Sequence, residues 1–209
     1  MSNNILGIVA FDLDGTLLRG PTVCEVLAKP LGRLAEMRRF EAYTTEGEVA
    51  AARLEMVQWY RDYTVAELQM HLRNARWAPG AHEGIRRLRG EGIEVAILSV
   101  TWTFAVRWFA EQLNVSHYLG TELLPDGEIV HSWGREKARF LKELVFKSGV
   151  SSSRVAAVGD STGDNEMLRE ASLRFFLGAN PSPDLEAIIH LPDGDIDTVA
   201  TRILDEWFA

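Results

Sequence analysis

The chain has 209 residues, 46% hydrophobic and 25% charged, with a net charge of −8; a chain this long buries roughly 70% of the surface its unfolded form exposes, enough for one full core with a smaller appended module. An acidic balance with no clustered run of cations argues against nucleic acid as a partner, and a single cysteine, Cys24, rules out an intrachain disulfide. No segment approaches the roughly 18 uninterrupted apolar residues of a membrane helix, and the apolar start lacks a signal peptide's charged flank and cleavage site, so a cytoplasmic protein without membrane contact is expected.

Ile5 to Phe11 is apolar at nearly every position, as in a strand buried on both faces of a parallel sheet. From about Thr22 to Trp77 no strand-like run follows. Apolar residues recur there three and four apart, as in Val23, Val26, Leu27 and again Leu31, Leu34, Met37, and Thr64 with Glu67 has the form of a capping box. Helices are expected. Past Pro79-Gly80, the stretch Ala81 to Arg89 reads as a helix stopped by Gly90. Ile93 to Ser99 is a second strand, Thr103 to Leu113 a helix, and Asp126-Gly127 between apolar runs a hairpin. Lys137 to Phe146 is a further helix, and Arg154 to Gly159 and Leu173 to Leu177 are further strands. Strands alternating with helices predict an α/β fold, a doubly wound, Rossmann-like parallel sheet. Residues 1–20 and 79–209 would form this core, with 21–78 a helical cap inserted between its first two strands.

The chemistry collects at strand ends, the side of such sheets on which ligands bind. FDLDGTLL, Phe11 to Leu18, places Asp12 and Asp14 two apart after the first strand, where their side chains point the same way. Gly15 permits a tight turn whose N–H groups can hold an anion. Two such close carboxylates repel, and a hard divalent cation such as Mg²⁺ relieves them. Asp and Gly are also ordinary turn residues, so this motif alone does not decide. The second strand ends at Ser99, with Thr101 and Trp102 beyond it, and the third runs into GDSTGD, Gly159 to Asp164, which supplies Asp160 and Asp164. Three strand ends carrying acids or hydroxyls converge on one crevice if the strands are neighbours. The lysines are Lys29, Lys137, Lys142 and Lys147; Lys137 opens a helix near the crevice, and the next two fall on solvated faces.

These four segments resemble the haloacid dehalogenase superfamily, in its phosphoserine phosphatase-like branch: FDLDGTLL its first motif, ILSVT its second, Lys137 its third and VGDSTGD its fourth. The resemblance covers the whole chain in order. It implies that Asp12 is the nucleophile of an aspartyl-phosphate mechanism and Asp14 the general acid and base. Mg²⁺ would sit on Asp12, the Asp14 backbone carbonyl and Asp160. Ser99, Lys137 and Gly15 would bind the phosphoryl group, while Asp164 would orient the lysine and water on the metal. Asp14 favours phosphatases and mutases, since dehalogenases lack an acid there.

Three departures bear on specificity. Gly163 stands where the fourth motif commonly has Asn, and Val100 where the branch usually has Gly after the serine. The acid and the arginine that read serine's ammonium and carboxylate align with Pro21 and Gln58. Glu25, Arg53 and Trp102 are therefore the candidates for reading the substrate, and an aromatic wall at Trp102 would suit a choline-like or ethanolamine-like cation. The expected function is a Mg²⁺-dependent phosphomonoesterase on a small-metabolite ester. Alternatives are a phosphocholine, phosphoethanolamine or sugar-phosphate phosphatase, a phosphomutase, or a non-catalytic binding module on the same fold. His71, His82, His117, His131 and His190 lack metal-ligand spacing and read as surface or packing residues, Cys24 as a small packing residue. Gly20-Pro21 and Pro79-Gly80 are the expected hinges of the cap.

Overall fold

A computed structural model of the chain describes residues 5–208. Strand β1 (Gly7–Phe11) is buried along its whole length, and five helices follow before the next strand, the first four being α1 (Val23–Ala28), α2 (Leu34–Phe40), α3 (Glu46–Tyr60) and α4 (Val65–Leu72). Then come α5 (Ala81–Gly90), β2 (Ile93–Trp102), α6 (Thr103–Gln112), β3 (His117–Leu123), β4 (Ile129–Val130) and α7 (Gly134–Ser148). The chain closes with β5 (Val155–Gly159), α8 (Asn165–Arg169), β6 (Leu173–Phe176), β7 (Ile188–His190) and α9 (Ile196–Phe208).

The sheet has the order β4-β3-β2-β1-β5-β6-β7, parallel except for β4. Alternation along a strand sends successive side chains to opposite faces. Val9, Phe11, Val95 and Ile97 pack with Ile85, Val106, Phe109 and Ile203, while Ile8, Ala10, Ala96 and Leu98 pack with Leu141, Leu144, Met167 and Leu168. The sheet is thus doubly wound, as the alternation of elements predicts.

Several boundaries differ from expectation. The second strand runs three residues past Ser99 to Trp102, with an irregularity in its pairing to β3 between Leu98 and Trp102. The helix before it passes through Gly90, and Gly92 at φ 74° makes the left-handed exit. The Asp126-Gly127 hairpin joins Glu122 and Leu123 to Ile129 and Val130, but the strand that enters it first runs parallel to β2. Expectation ends at Leu177, whereas β7 and α9 extend the sheet and cover α5. Buried Ile196, Val199, Ala200, Ile203 and Trp207 recur at helical spacing in α9, a signal legible in the sequence.

In the segment from Thr22 to Leu72, Thr22, Thr45 and Thr64 each cap a helix through a capping box, with Glu25, Glu48 and Glu67 as partners. The apolar faces of these helices, among them Leu27, Met37, Phe40, Met56 and Leu72, pack into the same hydrophobic cluster as one face of the sheet. A two-stranded ribbon joins the segment to the sheet: Arg19 N–H donates to the Arg76 carbonyl and Ala78 N–H to the Leu17 carbonyl, both at 2.8 Å. No described helix is long and apolar enough to cross a membrane.

Candidate active site

Strands β2, β1 and β5 are neighbours, with Phe11 paired to both Ile97 and Val158. Parallel neighbours in register bring Asp12 and Asp160 out of the sheet side by side, at the level where Ser99 lies within β2. Asp12 N–H still donates to the Val158 carbonyl at 2.9 Å, which fixes the backbone of the first acid to the third strand. Asp12 is buried, as are Ser99, Lys137 and Asp164.

Lys137 lies in the first turn of α7, which begins at Gly134, so the residue reaches the sheet end from inside a helix. Its Nζ donates to Asp12 Oδ1 at 2.5 Å and to Asp164 Oδ1 at 2.8 Å. Burial pulls its pKa down, but the two carboxylates more than offset that and hold the ammonium charged. Asp164 Oδ2 accepts from the amides of Asp160 and Ser161, each at 3.1 Å, and from Ser161 Oγ at 3.2 Å. Both Asp164 oxygens are thereby engaged, and its carboxylate ties the lysine to the turn that carries Asp160.

Carboxylate oxygens of Asp12, Asp160 and Asp164 lie within 4.8 Å of one another. Burial, with repulsion from Asp164, pushes Asp12 well above the ordinary carboxylate range, against the pull of Lys137. The same two causes lift Asp160 to about 6. One ammonium does not balance this set. An all-oxygen donor group with one ammonium among three carboxylates fits a hard divalent cation, which would favour the charged form of each acid it touches. Thr16 Oγ1 points at Asp160 Oδ1 at 3.5 Å, and Gly15, at φ 79°, sits so close that an added Cβ would meet the Asp160 carboxylate at 2.1 Å. Only glycine fits that turn.

Asp14 accepts from the Val23 amide at 2.7 Å, at the start of α1. Burial lifts its carboxyl to about 7, with Glu41 and Asp160 adding to the shift and the Val23 bond opposing it. An acid poised there both gives and takes a proton near neutrality.

Beside Asp14 opens a cavity of about 270 Å³ between the helical segment and the end of β2 from Val100 to Trp102. Trp102, Arg53, Cys24 and Glu41 all line it. Trp102 is buried and meets Tyr60 edge-on at 5.9 Å. Arg53 is buried with both terminal nitrogens engaged, one by the Val100 carbonyl at 2.6 Å and one by His131 Nδ1 at 2.8 Å, and it lies 4.4 Å over the Trp133 ring. His131 stacks on Trp133, so this packing histidine also bonds a charged group. Glu25 is not among the residues lining the cavity. It closes the Thr22 capping box and pairs with Arg38 at 3.4 Å. Pro21 and Gln58 are exposed and also outside the lining. Glu41, which the sequence reading passed over, stands at the rim and accepts from Thr22 Oγ1 at 2.6 Å. Nothing local marks it, because it ends α2 and reaches the site only through the packing of α2 against α1. Burial pushes the Cys24 thiol up, which suits packing and not nucleophilic chemistry. A larger groove, about 780 Å³, lies between α4, α6 and β3 and carries none of the four acids.

Residues 9–169 match the family described as haloacid dehalogenase-like hydrolase. A phosphoserine phosphatase of Archaeoglobus fulgidus is 29% identical over 198 residues, which cover 90% of this chain and 56% of that protein. Another, from Methanocaldococcus jannaschii, is 24% identical over 94% of this chain and 97% of its own. A solved substrate-bound phosphoserine phosphatase complex superposes with a TM-score of 0.79 at 21% identity, covering 94% of this chain and 98% of that one. At that identity the superposition speaks for the fold.

Proposed function

The chain belongs to the haloacid dehalogenase-like hydrolase family, and we propose that this phosphatase hydrolyses a small-metabolite phosphate ester with Mg²⁺, through an aspartyl-phosphate on Asp12. The observation that carries the reading is the buried Lys137 bridging Asp12 and Asp164, with Asp160 beside them and Asp14 poised near neutrality.

Asp12 has one carboxylate oxygen held by Lys137, which leaves the other to attack phosphorus. The bond from phosphorus to the ester oxygen breaks, and Asp14 gives its proton to the departing alkoxide. Asp14 then accepts a proton from water as that water attacks the phosphorus of the aspartyl-phosphate. The Asp12–phosphorus bond breaks, and inorganic phosphate leaves. Lys137, Ser99 and the amides of the Gly15 turn would hold the phosphoryl oxygens, and Asp164 positions the lysine. The Asp12 and Asp160 carboxylates and the Asp14 backbone carbonyl would hold Mg²⁺, which when bound offsets negative charge on the carboxylates and the phosphoryl group. Neighbouring acids with different environments divide the labour, a deprotonated nucleophile beside a protonatable acid.

Phosphate release from a panel of small esters, with Mg²⁺ or EDTA, tests this. Release should need the metal and fall at least about a thousandfold in Asp12→Asn, since the substitution removes the attacking oxygen. Release that survives the substitution would refute the nucleophile. Esters that bind a folded protein without release would favour a mutase or a binding module.

A further inference from the structure

The cavity beside Asp14 is smaller than the roughly 300–1,000 Å³ pockets that hold drug-sized ligands. It has room for a leaving group of few atoms. Its walls are apolar and aromatic, with Met37, Phe40, Tyr43, Met56 and Trp102 contributing. Phe40 and Tyr43 lie 5.6 Å apart, centroid to centroid, and form one wall. Asp14 lies at the floor, and the Glu41 carboxylate at the rim brings negative charge. Glu41 accepts from the Thr22 hydroxyl and has no cationic partner among the described residues. Arg53 is the one cation in the lining, and its terminal nitrogens are occupied by Val100 and His131 while its face covers Trp133. A substrate carboxylate would therefore meet the Glu41 carboxylate, and an arginine already held by a carbonyl, an imidazole and an aromatic face.

We infer that the leaving group is a small ammonium or alkylammonium alcohol without a carboxylate, with Glu41 and the aromatic wall as its readers. The chemistry matches on both counts. Aromatic faces attract a cation within about 6 Å of the ring centre, and a carboxylate without a counter-ion supplies the directional charge. The inference rests on the phosphatase reading and gives its specificity.

The test compares phosphocholine and phosphoethanolamine with phosphoserine and with 3,3-dimethylbutyl phosphate, the uncharged carbon isostere of phosphocholine. p-Nitrophenyl phosphate reports the phosphoryl chemistry alone. The better cationic ester should exceed both phosphoserine and the isostere at least tenfold in kcat/KM. Glu41→Gln should cut that value about tenfold, the scale of one charged contact, and leave the isostere within twofold. Preference for phosphoserine, equal rates for cationic and neutral esters, or a cationic preference unmoved in Glu41→Gln would each overturn the inference. If wild type hydrolyses none of these, p-nitrophenyl phosphate included, the phosphatase reading fails on its own. Calorimetric titration of the same esters then decides the selectivity: tighter phosphocholine than phosphoserine supports it, and the reverse or equality overturns it.

Discussion

At the scale of single residues, Lys137 carries two burdens. It is buried at 2% exposure between Asp12 and Asp164, so its charge is both the counter-ion of Asp12 and the link between β1 and the turn after β5. Removing one partner of a buried charge cluster leaves the others uncompensated, which costs about 3–5 kcal/mol. Lys137→Met should lower the unfolding free energy by that amount in urea denaturation, with a matching fall of the midpoint, and abolish phosphate release. Exposed Lys142 and Lys147, paired with Glu170 and Glu143, should show no such loss on the same substitution, because surface pairs contribute about 0–1 kcal/mol. An unchanged midpoint in Lys137→Met would mean the pair does not hold the turn.

Among elements, α3 meets the sheet end through Tyr60 against Trp102 and through one charged side chain. Arg53 reaches from that helix to the Val100 carbonyl, which also accepts from Thr121 Oγ1 at 2.9 Å, and to His131. A second tie, Arg135 with Glu46, joins the start of α7 to the start of α3 at the surface. Burial and the nearby Arg53 charge hold the His131 pKa below its ordinary value, against the attraction of Glu46. Its folded pKa lies under the unfolded value of about 6.5, so the unfolded chain binds more protons in that range. The His131 contribution is therefore complete above pH 6.5 and is lost as pH falls through the folded pKa. Asp14 and Asp160, held up at about 7 and about 6, gain stability as pH falls over the same range, so the His131 slope is the loss of wild-type stability from pH 8 to 5 measured relative to Arg53→Met by thermal unfolding. Arg53→Met should flatten that slope and cost about 1–3 kcal/mol at pH 8, from the lost charged bonds. A slope identical in both proteins would place the titration elsewhere.

For the molecule as a whole, the helical segment and the sheet share one hydrophobic cluster and meet at the hydrogen-bonded ribbon of residues 17–19 and 76–78. Of the two expected hinges, Pro79-Gly80 is locked: the Ile196 amide donates to the Pro79 carbonyl at 2.9 Å, and a Cβ on Gly80 would lie 2.4 Å from Asp195 Oδ1 and 2.7 Å from the Asp197 nitrogen. A Cβ on Gly20 would meet nothing within 4 Å. Movement of the helical layer must flex the ribbon and Gly20, not Gly80. Both glycines have positive φ, at 69° and 92°, so alanine strains each, and the difference between them isolates the clash. Gly80→Ala should unfold at lower urea than Gly20→Ala, by about 1–3 kcal/mol. Equal midpoints would return Gly80 to the list of hinges.

The amino-acid sequence by itself determined the parallel core, the capping of the inserted helices and the strand ends that carry Asp12, Ser99 and Asp160. Those features are local: buried strands need apolar runs, a Thr with Glu three residues on caps a helix, and a chain leaving a strand places its next polar groups at the sheet edge. Even the C-terminal helix α9 was legible, in the spacing of Ile196, Val199, Ile203 and Trp207. Tertiary structure alone decided how the charges are spent. Glu25 and Arg53 are chemically able to read a substrate, yet one is consumed by its own helix cap and the other by a carbonyl and a histidine. Glu41, with no motif around it, is the carboxylate left at the rim. A charge's availability depends on partners from distant parts of the chain, and short-range pattern carries no record of them.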